Sequence, residues 1–447
     1  MKHLLRTTLS VVVASALLAC GSTDEAQSSN VTEGAGGQSH GSGGAGGAGG
    51  QEDPFAESLV LELGEVQPDV DVPFEVPEGT LGFHVQLRTT SPLSSGLEQI
   101  VDPTGEVVFD QYSPVGSPAP LGWGLSSDGY AATAVPNNVP ATLRAGTWWL
   151  RAGGTAADAR VYLQHTDDGA FHGGELDMHV YIPDGLPIED PTPSHALTAA
   201  DAATDEAVAL RIDTFYIALQ DLFGIGRGDV TFHAIDASYA QVLDEATFHA
   251  LIAESQAGGD GQQLHMVWVS HLEPWPDFNV WGLSPRVPGD TLTAGTHESA
   301  VALAINPLFG AVADGFTMLH EMGHFMGLSH TTELEGGYQD PLIDTPFCAD
   351  IATQPQSCPD RTNLMFPTYW GATGGVGVTV TESQRRIVRA SPSYRALRTG
   401  AAPSMPDFTP PPGSTEGGEQ RDHRGAETTA TPLRCGHARF LPAPVTR

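Results

Sequence analysis

Residues 317–330 read TMLHEMGHFMGLSH, which sets His320, Glu321, His324, Gly327 and His330 at fixed intervals. On a helix His320 and His324 stand one turn apart on one face, so both imidazoles reach a single ion at about 2.0 to 2.1 Å. Gly327 can take the left-handed conformation that ends a helix, turning the chain so that His330 approaches the same ion from a third direction. Three neutral nitrogens leave a fourth position for water, whose pKa zinc lowers to roughly 7. Glu321 adjoins His320 and can accept that proton and pass it to a leaving amine. Five fixed identities in so short a window arise by chance in a chain of this composition with odds on the order of one in ten thousand. The spacing therefore implies a catalytic metal and peptide hydrolysis, with a zinc-retaining but inactive scaffold as the alternative.

Outward from this helix, expected over 312–328, the pattern alternates between strand and helix. Strand periodicity appears at 175–182, 229–235, 264–269 and 299–305, and helical spacing at 197–223 and 239–254. A loop rich in Pro and Trp fills 274–288, where Trp275 and Trp281 either line a cleft or pack as satellites. Residues 171–400 thus read as an α/β unit. Residues 55–170 carry a different pattern, strands separated by turns. In 82–88 Phe83, Val85 and Leu87 share one face of a half-buried strand, and further strands fall at 107–109, 147–151 and 161–163. A small β-sandwich is the natural reading.

The 447 residues allow two or three such units. With 54 acidic against 20 basic residues the formal net charge is -34, which repels phosphate backbones and argues against nucleic acid as a partner. Lys2 and Arg6 followed by a short apolar run make residues 1–20 an export signal, too short to span a membrane. Residues 21–54 are rich in Gly and bury too little to fold, so they read as a flexible tether. The tail 401–447, with Pro410 to Pro412 and many Gly, Glu and Arg, reads as disordered.

The 317–330 motif resembles that of the metzincin zinc metallopeptidases, and HEMGHFMGLSHTTE, Asp344-Thr345-Pro346, two cysteines and Asn363-Leu364-Met365 are similar to the pappalysin-like group and related peptidases of bacterial lipoproteins. The resemblance covers roughly residues 172–398. It implies an α/β (α+β) catalytic domain with a twisted mixed sheet and an active-site helix, preceded here by the small sandwich. It further implies His320, His324 and His330 as zinc ligands, Glu321 as general base and Met365 as the apolar floor of the site. It also implies that the strand at 299–305 is the sheet edge that pairs with an extended protein or peptide substrate, although its apolar pattern is equally that of an ordinary buried strand. Where several metzincins carry an oxyanion-stabilising Tyr two positions after the turn Met, this chain has Pro367; the nearest Tyr is Tyr369, an oxyanion candidate or a packing residue. The segments VPFEVPEGTLGFHVQL, VDPTGEVV and LRAGTWWLRA look like accessory sandwich modules of secreted bacterial peptidases.

Leu17-Leu18-Ala19-Cys20 resembles a bacterial lipobox, with Cys20 as the lipid-bearing residue and that lipid as the sole membrane contact; an ordinary secretory signal cut nearby is the alternative. The expected location is the bacterial cell envelope or the extracellular space, as a monomer. In an exported chain Cys348 and Cys358 are expected to pair, which stabilises by roughly 3 kcal/mol in the chain-entropy model. Cys435, in Arg434-Cys435-Gly436, faintly resembles the peptide by which some metzincin proforms block zinc with a thiolate; a free or intermolecular thiol is the other reading. Asp340, Asp344, Asp350 and Asp360 could hold calcium or cap turns. The expected activity is endopeptidase cleavage of extracellular proteins; the rivals are a surface-anchored binding lipoprotein with an inactive scaffold, and an exopeptidase, for which no terminus-capturing group is identifiable.

Overall fold

The computed structural model describes residues 53–89, 96–111, 129–137, 143–275, 280–305, 310–333, 339–349, 351, 353–368 and 377–401, with the main chain of 434–437. The expected signal with Cys20, nearly all of the 21–54 tether, Asp350, Tyr369 and most of the tail lie outside these residues.

Strands β1 (Leu59–Val66), β2 (Asp71–Val76), β3 (Thr80–Arg88), β4 (Gly96–Val101), β5 (Val107–Asp110), β6 (Tyr130–Val135), β7 (Gly146–Gly153) and β8 (Ala157–His165) form two four-stranded sheets, ordered β1-β8-β3-β6 and β2-β7-β4-β5. Alternation along the strands sends one set of side chains from both sheets into a shared apolar cluster. There Phe83 of β3 stands edge-on to Phe74 and Trp148, with ring centroids 5.5 and 5.1 Å away. The β4–β5 turn forms because the Asp102 carboxylate accepts from the N–H groups of Thr104 and Glu106 at 2.8 and 2.9 Å.

Beyond residue 171 come β9 (Gly174–Pro183), the hairpin β10 (Leu186–Ile188) and β11 (His195–Leu197), the short helix α1 (Ala199–Ala202) and α2 (Glu206–Phe223). The helix expected over 197–223 is broken at Asp205, whose carboxylate caps α2 by accepting from the N–H groups of Ala207 and Val208. A capping aspartate starts a helix more favourably than it continues one. Then follow β12 (Ile225–Ile235), β13 (Gln241–Val242), α3 (Glu245–Ala253), β14 (Gln263–Val269), β15 (His271–Leu272), β16 (Val280–Ser284) and β17 (Val301–Ala304). The chain ends with α4 (Gly310–Phe325), α5 (Glu382–Arg389), β18 (Arg395–Ala396) and β19 (Arg434–His437). The helix expected over 239–254 is likewise shorter, beginning behind the cap Asp244.

The main sheet runs β12-β9-β14-β17-β16-β19, with β18 beside β9. From β12 to β17 the strands are parallel; β16 is antiparallel to β17, and β19 pairs parallel to β16. One alternative is decided here and one expectation corrected. Of the two readings of 299–305 it is the ordinary buried strand that holds: β17 is an interior strand whose four residues are all buried, as a continuous apolar run should be, and β16 lies outside it. The tail is not wholly without structure, because 434–437 pairs with the main-chain groups that β16 would otherwise leave open.

One face of this sheet, with Leu176, Met178, Met266 and Trp268, packs on α2 and α4. A fully buried ion pair fastens those helices, Arg211 Nε donating to Asp314 Oδ2 at 2.8 Å. Trp281 of β16 donates through Nε1 to the other Asp314 oxygen at 3.0 Å. Trp281 is therefore core packing, and Trp275 is a half-buried neighbour of Phe248, with ring centroids 6.3 Å apart.

The second face of β3 is also covered, which corrects the half-buried reading of 82–88. His84 and Gln86 are buried because β3 packs against the loop that leaves β16. His84 Nδ1 lies 2.9 Å from Thr291 Oγ1, Arg88 pairs with Asp290, and Tyr130 donates to the Gly289 carbonyl at 3.0 Å.

Asp314→Ala should lower the free energy of urea unfolding by about 3 to 5 kcal/mol, since it leaves Arg211 buried and uncompensated. Arg160→Ala, which opens the exposed pair with Glu62, should cost under about 1 kcal/mol. Equal losses would contradict the buried-pair account. A second expectation concerns acid. Burial holds His265 at about 3, against 6.5 for a free imidazole, and the neighbouring His179 and His233 push the same way. His265 thus stays neutral in the folded chain while the unfolded chain binds a proton. Its share of stability is complete above pH 6.5 and falls as pH drops toward 3. His265→Gln should flatten that fall by up to about 1.4 kcal/mol per pH unit. Unfolding titrations with parallel slopes for parent and variant would refute it.

Candidate metal centre

Helix α4 begins where the Ala311 N–H donates to the Asp190 carboxylate at 3.0 Å, satisfying one of the helix's open donors. It ends at Gly327, φ 110°, with Leu328 N–H bonded to Gly323 O at 2.8 Å and Gly327 N–H to His324 O at 2.9 Å. These two bonds define a Schellman cap. The space around Gly327 is closed as well: a β-carbon there would lie 2.8 Å from the Ala134 side chain of β6. The turn carries His330 back over the helix face that bears His320 and His324.

The three imidazoles converge through Nε2. His330 Nε2 is 3.3 Å from that of His320 and 3.1 Å from that of His324, and all three ligand atoms fall within 4.8 Å of one another. A tetrahedral zinc with bonds of about 2.1 Å separates its ligands by about 3.4 Å, so the spacing fits. The opposite ring nitrogens are each engaged. His320 Nδ1 meets Leu364 O at 2.6 Å, His324 Nδ1 meets Leu328 O at 2.7 Å, and His330 Nδ1 meets Glu333 Oε2 at 3.0 Å. Since a carbonyl oxygen only accepts, the protons of His320 and His324 sit on Nδ1, and the Glu333 carboxylate asks the same of His330. The Nε2 lone pairs are left facing one point.

Glu321, next to His320 on α4, is fully buried, and burial pushes its carboxyl well above the usual range, with the Ser284 main chain acting against the shift. It lies flat on β16: a β-carbon at Gly282 would come within 2.4 Å of Glu321 Oε1. Met365 is fully buried beneath α4, its sulfur in the space that a β-carbon at Gly323 would need. Its turn is held by Asn363, whose Oδ1 accepts from Met365 N–H at 2.9 Å and from Gln384 Nε2 at 3.0 Å. Gln384 in turn closes the capping box of α5 with Thr381. One short turn therefore supplies both Met365 and the carbonyl that orients His320.

Of the residues singled out in the sequence, the structure brings His320, His324 and His330 together, with Glu321 buried against Gly282 and Met365 against Gly323. Cys348 and Cys358 are joined in a disulfide with Cα atoms 5.3 Å apart, packed with Ile351 and Phe366. Asp344 accepts from the Ser383 N–H at 3.0 Å, at the start of α5, while Asp340 accepts from the Leu342 N–H and Thr345 hydroxyl, and burial raises its pKa to about 8. Among the described residues, Asp340, Asp344 and Asp360 are not a group of three with carboxylate oxygens all within 4.8 Å of one another. Cys435 falls in β19, its main chain opposite Gly282. Glu333 was legible only as a glutamate three positions after His330. Gly282 gave no sequence signal, and Asn363 appeared only as the residue that opens the Met365 turn.

No family model and no curated protein sequence matches the chain. Among solved structures, archaemetzincin from Methanopyrus kandleri is similar at 16% identity and a TM-score of 0.24, over 49% of this chain and 89% of that one. Metalloproteinase-II from Bacteroides fragilis is similar at 12% identity and a TM-score of 0.29, over 52% of this chain and 62% of that one. The propeptide form of a Bacillus licheniformis lipase shares 19% identity at a TM-score of 0.16, over 24% of this chain and 22% of that one.

Because Glu333 fixes the His330 ring, Glu333→Ala should weaken zinc affinity by about 10- to 100-fold in a chelator competition. Unchanged affinity would remove Glu333 from the centre.

Proposed function

We propose that this chain is a zinc-dependent endopeptidase of metzincin type that cleaves extracellular proteins or peptides. The observation that carries the reading is the convergence of three Nε2 atoms, each imidazole tied at Nδ1, with the buried Glu321 next to His320 on the same helix. Zinc held there supplies a Lewis acid for the scissile carbonyl and makes water acidic enough to attack near neutral pH. Glu321 takes the proton from the attacking water and returns it to the leaving amine. Gly282 lets that carboxylate lie against β16, and the strand supplies an adjacent main-chain surface for an extended substrate. Met365, in the space beside Gly323, fixes the height of the helix that carries two of the ligands. The Cys348–Cys358 disulfide supports an oxidising compartment, in keeping with export and an N-terminal lipid anchor at Cys20. Among the described residues no helix is long and apolar enough to cross a membrane.

Glu321→Ala should keep zinc at one per chain and lose at least about two orders of magnitude in peptide cleavage. Cleavage at the parent rate by a zinc-loaded variant would remove Glu321 from the mechanism. Gly282→Ala should also depress cleavage with zinc retained, since its methyl group needs the space of the Glu321 side chain.

A further inference from the structure

We infer that the outer side of β16 is a docking edge for extended peptide and that this chain's own Arg434–His437 occupies it as a competing strand. The inference rests on the endopeptidase reading for what it displaces, and on main-chain pairing alone for the occupancy. β16 is paired on its inner side to β17, and β19 closes the other side. The register sets Val280 opposite Arg434, Gly282 opposite Cys435, Leu283 opposite Gly436 and Ser284 opposite His437.

That stretch of β16 is the part that touches the candidate base. Glu321 lies against Gly282, and the Ser284 main chain interacts with its carboxylate. A peptide bond brought to the three histidines along this strand must use the main-chain groups that β19 holds. Occupancy and substrate pairing are therefore mutually exclusive along Val280–Ser284.

The occupant is also weak in the way a displaceable strand should be. It is four residues long and its register with β16 shifts between Val280 and Gly282, so few main-chain hydrogen bonds hold it. It pairs parallel to β16, and a parallel ladder is slightly less stable per residue than an antiparallel one. Its tether to the same chain offsets this, because a linked segment acts at an effective concentration in the millimolar range when the linker allows the contact. The tail then raises the substrate concentration needed for turnover without altering the chemical groups.

The test uses the full-length, zinc-loaded chain and its Cys435→Pro/Gly436→Pro variant, which removes two N–H donors from β19 and disfavours a strand there. Amide hydrogen exchange reads occupancy without reference to catalysis. Exchange within Val280–Ser284 should be faster in the variant, and unchanged protection across all five residues would overturn the inference. With a short fluorogenic peptide, KM should fall at least about fivefold in the variant while kcat is kept. Equal KM in the two proteins would also overturn it. Faster exchange with no cleavage by either protein would count against the endopeptidase reading alone and leave the occupied edge standing.

Discussion

Three imidazoles can face one another through Nε2 at 3.1 to 3.3 Å only if their protons are held elsewhere. The Leu364 and Leu328 carbonyls and the Glu333 carboxylate do that holding, and the three Nε2 atoms are turned toward one another. Three imidazole nitrogens so placed form a strong chelate for a cation. The architecture around the site can be understood as what is needed to keep those three Nδ1 contacts in place.

Each contact is supplied by a different part of the chain. The Leu328 carbonyl is positioned by the Schellman cap of α4, and Gly327 at its turn also lies against the N-terminal sheets at Ala134. The Leu364 carbonyl belongs to the turn that Asn363 ties to Gln384 and so to α5. Helix α4 is fastened to α2 and β16 by the buried Arg211, Asp314 and Trp281. The N-terminal strands reach the same region, where Tyr130 holds the Gly289 carbonyl and the Gly289 N–H donates to Phe325 O at 3.0 Å, at the end of α4. Residues far apart in sequence thus converge on one helix end.

This division explains what could be read from the sequence. The ligand spacing, the base and the helix-ending glycine are local, so eleven residues displayed them. Strand periodicity was legible for Phe83, Val85 and Leu87, whose alternation reflects one buried face; that the other face is buried as well depends on a loop about two hundred residues away and left no trace in the pattern. The breaks at Asp205 and Asp244 were missed because a capping aspartate looks like any polar residue on a helix surface. Gly282 was invisible because its role depends on what sits across from it. The sheet edge stayed undecided in the sequence for a related reason: β17 reads as an apolar strand, but its place between two neighbours is a property of pairing.

The claim at the centre is that His320, His324 and His330 hold one zinc through Nε2. X-ray absorption on protein with zinc quantified by elemental analysis tests it most directly. The account predicts one zinc per chain, with a first shell of three imidazole nitrogens at about 2.0 to 2.1 Å and a light-atom fourth ligand. Absence of stoichiometric metal after folding with zinc, or a first shell with fewer than three imidazoles, would contradict it.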